Sequence, residues 1–463
     1  MMKIFLYVIL QVCYVLPTRA QSSYDSIDID SIKISGRIKW KSSAITGFPD
    51  QVKVTSSQDT AIAIVNVDSV GRYVANLPPG SYTIAPAKEY HFINDRFIRI
   101  DDSNVKVVIN LSSAKEVILP TLELDTVVQP GGIPERGILF DFDYKKAKLL
   151  DEFVKKQMAF YQIPGASLAL VQKGKMIYHQ VYGVKNSITN EPVTESTLFE
   201  AGSITKPVFA FVVMRLVEKG ILDLDKPLYR YLAFKDVEHD ERYQFITARH
   251  VLSHQTGFPN WAQRNTKGQF DLKFTPGTAF GYSGEAYEYL KRVVEHISHK
   301  EIGQILQEEL LIPLNWKNVY FQGSKHVAAF EANGHIDHSP TEIRLINKPQ
   351  LSYSMIVEAR SFTTFMLALR NKAGLKSGTY NELLKIHSLN EPGVNWSLGF
   401  CVENSPFGLV YRHGGSTGPG FICNFSYFKD LDMGFVMFTN SHMGEWLCIS
   451  LLTEFLITGK QVP

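Results

Sequence analysis

Cysteine is scarce, with four residues in a chain of 463 and no CxxC pair among them. This excludes a small domain held by many disulfides and a zinc site built on paired thiolates. No run of like charge occurs, and 48 basic residues nearly balance 46 acidic ones, so the electrostatic footprint of a nucleic-acid binder is missing. No apolar run reaches the roughly 20 residues that a membrane-spanning helix needs. The C-terminal "WLCISLLTEFLITG" is therefore expected to pack on a sheet, and the mature chain to hold no transmembrane segment. Internal repeats and low-complexity segments are also lacking. What is present, 45% apolar and 20% charged residues, is the composition of a globular protein long enough for two or three domains.

The first residues, "MMKIFLYVILQVCYVLPTRA", combine a charged start at Lys3, a short apolar stretch and the small-residue pattern Thr18-x-Ala20. Residues 1–20 are expected to be a cleaved export signal, placing the mature protein in the periplasm or outside the cell. Cys401, Cys423 and Cys448 then remain, an odd set expected to be buried free thiols.

From 21 to 126 the pattern is strand-like, with "SIKISGRIKW", "TAIAIVNV", "RYVANL", "SYTIAPA", "RFIRI", "VKVVINL" and "EVILPTLEL" separated by turn signals. A small all-β sandwich is expected there, and residues 127–137, "VVQPGGIPERG", read as a linker. In the domain that follows, 138–463, Leu150, Phe153, Val154, Met158 and Tyr161 share helical spacing, and "ASLALVQKGKMIYHQVYG" reads as two strands joined at Lys173-Gly174. Residues 200 to 390 look mostly helical, after which "LVYRH", "GFICNFSYF" and "MGFVMFTN" return to strands before a last helix from about 444 to 458. Both chain ends would close one antiparallel sheet flanked by helices, with a helical region inserted: an α+β fold.

In "AGSITKPVFAFVVMRLVEKG" the apolar positions cover most of a helix, yet Ser203 and Lys206 stand three apart at its amino end. The helix dipole disfavours a cation there. The placement makes sense for a lysine meant to be neutral, which requires disfavouring its charge by roughly 4 to 5 kcal/mol in a dry pocket. A neutral amine can take the proton of a serine hydroxyl and make it a nucleophile. Two distant stretches accompany this one: Tyr282-Ser283-Gly284 before an amphipathic helix with Tyr287, Leu290, Val293 and Val294, and His413-Gly414-Gly415-Ser416 at the end of a strand.

Together Ser203-x-x-Lys206, Tyr282-Ser-Gly and His413-Gly-Gly resemble, in order, the serine β-lactamase and penicillin-binding-protein superfamily, in its class C β-lactamase, D-Ala-D-Ala carboxypeptidase and esterase branch. The resemblance implies that Ser203 is the acylated nucleophile, that Lys206 and Tyr282 share a proton, and that His413 replaces the family's commoner lysine. It further implies an oxyanion hole made by the NH groups of Ser203 and Ser416. Gly284 stands where the family commonly has an asparagine that holds the substrate's acyl-side amide, and Gly414 where a threonine hydroxyl commonly helps bind a carboxylate. The turns "DSVGRY" and "LPPGSYTI" of the first domain resemble the carboxypeptidase regulatory-like sandwich family.

The expectation is an exported serine hydrolase needing no metal or other cofactor, acting on esters, amides or short peptides, D-amino-acid peptides included. The alternatives are a class C-like β-lactamase or D-Ala-D-Ala carboxypeptidase, and, in another class, a non-catalytic receptor for cell-wall peptides or penicillin. A cell-envelope ligand is the expected partner of the sandwich. His413 is expected to give a pH dependence between about 5.5 and 7.5. His250 and His254, four apart but without the glutamate of HExxH, are expected to be structural, and the clusters "HISH" and "HIDH" to be solvated surface.

Overall fold

In the computed structural model of the chain the described residues are short strands between 32 and 127 with Val67, then 142–445 apart from 392–393 and 406–407, and finally 447–448 and 455–456. The expected export signal, most of the expected linker and most of the expected last helix lie outside them. The chain divides into two compact units, Met1–Ile133 and Pro134–Pro463.

The first unit is built of strands alone among its described elements. One four-stranded sheet centres on Ile32–Trp40, which pairs with Arg72–Leu77, Glu116–Ile118 and Leu122–Leu124. Another runs in the order Ala61–Asn66, Gln51–Ser56, Gly80–Pro86 and Val107–Leu111. Period-two burial follows the sequence: Tyr73 and Leu77 are buried while Val74 between them is exposed.

The second unit is organised around one antiparallel sheet of eight strands. Helix α1 (Tyr144–Tyr161) is capped by Asp143, whose carboxylate accepts from Lys146 N, and lays Leu150, Phe153, Val154 and Met158 inward. Strands β1 (Gly165–Gln172) and β2 (Lys175–Gly183) form a hairpin through Lys173-Gly174. Strands β3 (Ser388–Glu391), β4 (Val394–Trp396), β5 (Cys401–Ser405), β6 (Gly408–Thr417), β7 (Phe421–Phe428) and β8 (Met433–Thr439) complete the sheet, in the order β2-β1-β8-β7-β6-β5-β4-β3. The first hairpin thus docks onto the last strand, Leu168 facing Met437.

The sequence foresaw five of these strands and missed β3, β4 and β5. They are short and carry Asn395, Glu403 and Asn404, so no apolar alternation marks them. The interior is filled by helix α2 (Thr205–Glu218), on which Val208, Phe209, Phe211, Val212, Val213, Met214 and Leu216 are all buried. A helix apolar on every side belongs in a core. Beside it lie α3 (Gly284–Ser298) and α4 (Ala359–Arg370). Phe455, in the expected last helix, stacks on Phe153 of α1 with ring centroids 4.0 Å apart.

Cys401, Cys423 and Cys448 are free and buried. His335, expected at the surface with the rest of "HIDH", is fully buried instead. Its Nδ1 lies 2.9 Å from the Asn440 carbonyl and its Nε2 accepts from Ser187 N, so the ring ties two loops to the end of β8. No described helix is long and apolar enough to cross a membrane.

Candidate active site

Ser203 lies on a 3-10 turn, Gly202–Ile204, that leads directly into α2. Two neighbours fix the turn. Ala201 N donates to Met355 O, and the Thr205 hydroxyl donates to Gly202 O while accepting from Met355 N. Gly202 has φ +51°, in the left-handed region, and a Cβ there would lie 2.9 Å from the Ser416 nitrogen. Only glycine allows both the turn and the close passage of β6. Gly415 serves the same approach, since a Cβ on it would meet the Ala201 carbonyl at 2.1 Å. The backbone of Ser416 is thereby brought beside the turn that carries Ser203.

Lys206, the second residue of α2, is 1% exposed. Its Nζ stands 3.2 Å from Ser203 Oγ and 2.8 Å from the Ser352 carbonyl, and 4.7 Å from the centroid of the Tyr282 ring. The expected trio of Ser203, Lys206 and Tyr282, drawn from positions up to 79 residues apart, therefore meets at one buried point. Ser352 is held in turn by α3: its NH and hydroxyl both donate to Glu288 Oε1, at 2.9 and 2.7 Å, while Lys291 bridges Glu288 Oε2 to Pro349 O.

Tyr282 immediately precedes α3, whose N-cap is Ser283. The Ser283 hydroxyl accepts from Ala286 N and donates to Pro259 O. Its NH donates to Nδ1 of His254, so the proton of that imidazole sits on Nε2. The His254 ring lies against that of Tyr282, 4.1 Å between centroids and tilted by 31°, and Trp396 stands 5.0 Å from His254 and 5.9 Å from Tyr282. Complete burial holds His254 well below the ordinary imidazole range. The structural role expected of His254 therefore takes a definite form, the floor under Tyr282. His250 lies apart, its Nδ1 against the Phe245 carbonyl, and no described group of acids, thiols and imidazoles could hold a metal ion.

His413 enters from β6, its ring 6.2 Å from that of Tyr282. Nδ1 donates to its neighbour's carbonyl, Gly414 O, at 2.6 Å, and Nε2 makes no hydrogen bond among the described residues. Desolvation above all pushes its pKa down to about 3. This corrects the expected titration between 5.5 and 7.5, because a free imidazole near pH 6.5 is not the group this site contains. His413 is neutral throughout that range.

Gly284 opens α3 and abuts Trp261, and Gly414 and Gly415 lie on β6 opposite Asn424 and Cys423 of β7. Sequence reasoning missed Ser352, Glu288, Trp396 and Trp261. The first acts through its carbonyl, which no side-chain pattern announces. Trp261 did leave a signal, a large aromatic in the polar loop "PNWAQ".

A family model described as Beta-lactamase matches residues 150–445. Among curated proteins, Esterase EstB of Burkholderia gladioli is 26% identical over 202 residues, 38% of this chain and 51% of that protein. Protein flp of Staphylococcus aureus (strain MW2) is 22% identical over 219 residues, 44% of this chain and 43% of that protein. The chain spans about half the length of the curated relatives it matches. A solved structure described as a class C beta-lactamase superposes with a TM-score of 0.59 at 18% identity, covering 69% of this chain and 98% of that one, a likeness of fold. The α+β sheet-and-helix architecture and a family match over well more than half of the residues lead to one conclusion: this chain belongs to the Beta-lactamase family.

Proposed function

We propose that this chain is an exported serine hydrolase that is acylated on Ser203 and acts on esters, amides or short peptides. The observation that carries the reading is the buried Lys206 amine 3.2 Å from Ser203 Oγ, with the Tyr282 ring over it. Burial disfavours the charged amine, which is the condition for it to accept a proton.

In the first half-reaction the Ser203 proton passes to the Lys206 and Tyr282 pair as Oγ bonds to the substrate carbonyl carbon. The carbonyl π electrons move onto oxygen, which the NH groups of Ser203 and Ser416 receive. The pair then gives the proton to the leaving alcohol or amine as its bond to carbon breaks. Water repeats the sequence on the acyl-Ser203 ester, losing a proton to the pair and releasing the acid. Proton sharing belongs to the pair rather than to either residue.

Three polar anchors used on charged or acylamino substrates are lacking: Gly284 and Gly414 carry no side-chain polar group, and His413 is neutral where a lysine would be a cation. Their loss leaves acylation chemistry intact and favours neutral substrates, esters above all, over β-lactams and carboxylate-bearing peptides. The name of the relative Esterase EstB is in keeping with this. Residues 1–20 carry the export reading, and the first unit is read as an accessory β-sandwich for a cell-envelope ligand.

A fluorophosphonate probe tests the proposal. It is expected to label the wild type and not Ser203→Ala; an unlabelled wild type that still binds cell-wall peptides would identify a receptor instead.

A further inference from the structure

We infer that Trp261 and Tyr353 form an aromatic wall beside the nucleophile that selects a planar apolar acyl group, such as an arylacyl ester, and rejects an acylamino group. The inference rests on the hydrolase reading above and deepens it.

A Cβ built on Gly284 would lie 2.9 Å from both Cη2 and Cζ2 of Trp261. No side chain fits at Gly284 while the indole stays, so the space an amide would occupy there is filled by an aromatic ring. The loop that carries the indole is tied to the start of α3. Gly284 N donates to Asn260 Oδ1 at 2.9 Å, Glu285 N donates to Asn260 O at 2.9 Å, and Ser283 Oγ holds Pro259 O at 2.8 Å. Arg264 anchors the far side of the same loop to Asp236 and Glu285.

Tyr353 meets Trp261 edge-to-face, with centroids 5.8 Å apart and planes at 82°. It follows Ser352, whose carbonyl binds Lys206, just as Gly284 follows Tyr282 by two residues. Tyr353 is thus next in the chain to one group that contacts the Lys206 amine, and Trp261 packs on a residue two positions from the other. Trp261 remains 45% exposed, an open apolar face in a loop otherwise tied down by hydrogen bonds. A flat ring can pack on that face, whereas an acylamino group would place its NH and C=O against an indole that cannot pair with both.

The test compares two p-nitrophenyl esters of similar size, phenylacetyl and N-acetylglycyl, with fluorophosphonate labelling of each variant as the check for a competent nucleophile. The wild type is expected to favour the phenylacetyl ester by about tenfold or more in kcat/KM. Trp261→Ala is expected to cut that ratio about tenfold, Trp261→Phe to restore most of it, and Trp261→Ala/Gly284→Asn to turn it towards the N-acetylglycyl ester. A labelled wild type with a ratio near one, or a labelled Trp261→Ala with the wild-type ratio, overturns the aromatic wall and leaves the hydrolase reading standing. Should Trp261→Ala take no label, the ratio measured for wild type and Trp261→Phe decides. A wild type that takes no label overturns the hydrolase reading itself.

Discussion

His413 shows how far a residue's chemistry depends on what surrounds it. Its ordinary pKa invites a pH switch, but desolvation holds it down to about 3. The profile of kcat/KM between pH 5.5 and 7.5 is therefore expected to contain no step from His413, and His413→Gln, a neutral acceptor in its place, to keep the wild-type profile shape. A step that disappears in His413→Gln would refute this. The same depression has a cost in acid. Above pH 6.5 the imidazole is neutral in both folded and unfolded chains; as pH falls from 6.5 towards 3 the unfolded chain takes up a proton that the folded one refuses. Stability present above pH 6.5 is lost in that window, about 2 kcal/mol at pH 5 for one such group. Urea unfolding of wild type and His413→Gln at pH 7 and 5 measures it: the variant is expected to lose that much less on acidification, and equal losses would contradict the assignment.

At the scale of elements, α3 does two jobs with two faces. Tyr287, Leu290, Val293 and Val294 bury one, and Glu288 reaches out to fix the Ser352 carbonyl on Lys206. Glu288→Ala is expected to slow fluorophosphonate labelling of Ser203 about tenfold, the scale of one lost positioning contact, while the far-ultraviolet circular dichroism stays unchanged; an unaltered labelling rate would remove Glu288 from this role. The helices were legible in the sequence because α2 is apolar all round and α3 on one face, the pair Ser203 and Lys206 because they stand at helical spacing, and Tyr282 only through the resemblance of its motif to a family pattern. The strands β3 to β5 at one side of the sheet were not, since their polar residues carry no period. Nor was the support of the site: His254 lies against Tyr282 and the Ser352 carbonyl binds Lys206, both brought in by tertiary contact and neither at a local spacing from Ser203.

For the whole molecule, the pH response combines the buried imidazoles with an acid of opposite sign. Glu331, 2% exposed and beside Glu200, is raised to about 8, first by burial and then by the Glu200 charge. The folded chain keeps this proton up to about pH 8, whereas the unfolded chain releases it near 4.5, so the associated stability is complete below 4.5 and lost as pH rises to 8. Glu331→Gln is expected to raise the unfolding temperature at pH 8 and leave it nearly unchanged at pH 4.5; an equal rise at both would point to packing instead. Removal of residues 21–130 is expected to leave ester hydrolysis by the second unit within about twofold of the full chain, as for a domain with its own core, and loss of hydrolysis in a folded truncation would make the first unit part of the site. The central claim, that the Lys206 and Tyr282 pair takes the proton of Ser203, is tested most directly by the rate of adduct formation with a p-nitrophenyl ester, followed by peptide mass mapping in wild type and Lys206→Gln. The account predicts an acyl adduct on the Ser203 peptide that forms at least about a hundredfold more slowly in the variant; an adduct on another residue, or equal rates in the two proteins, would contradict it.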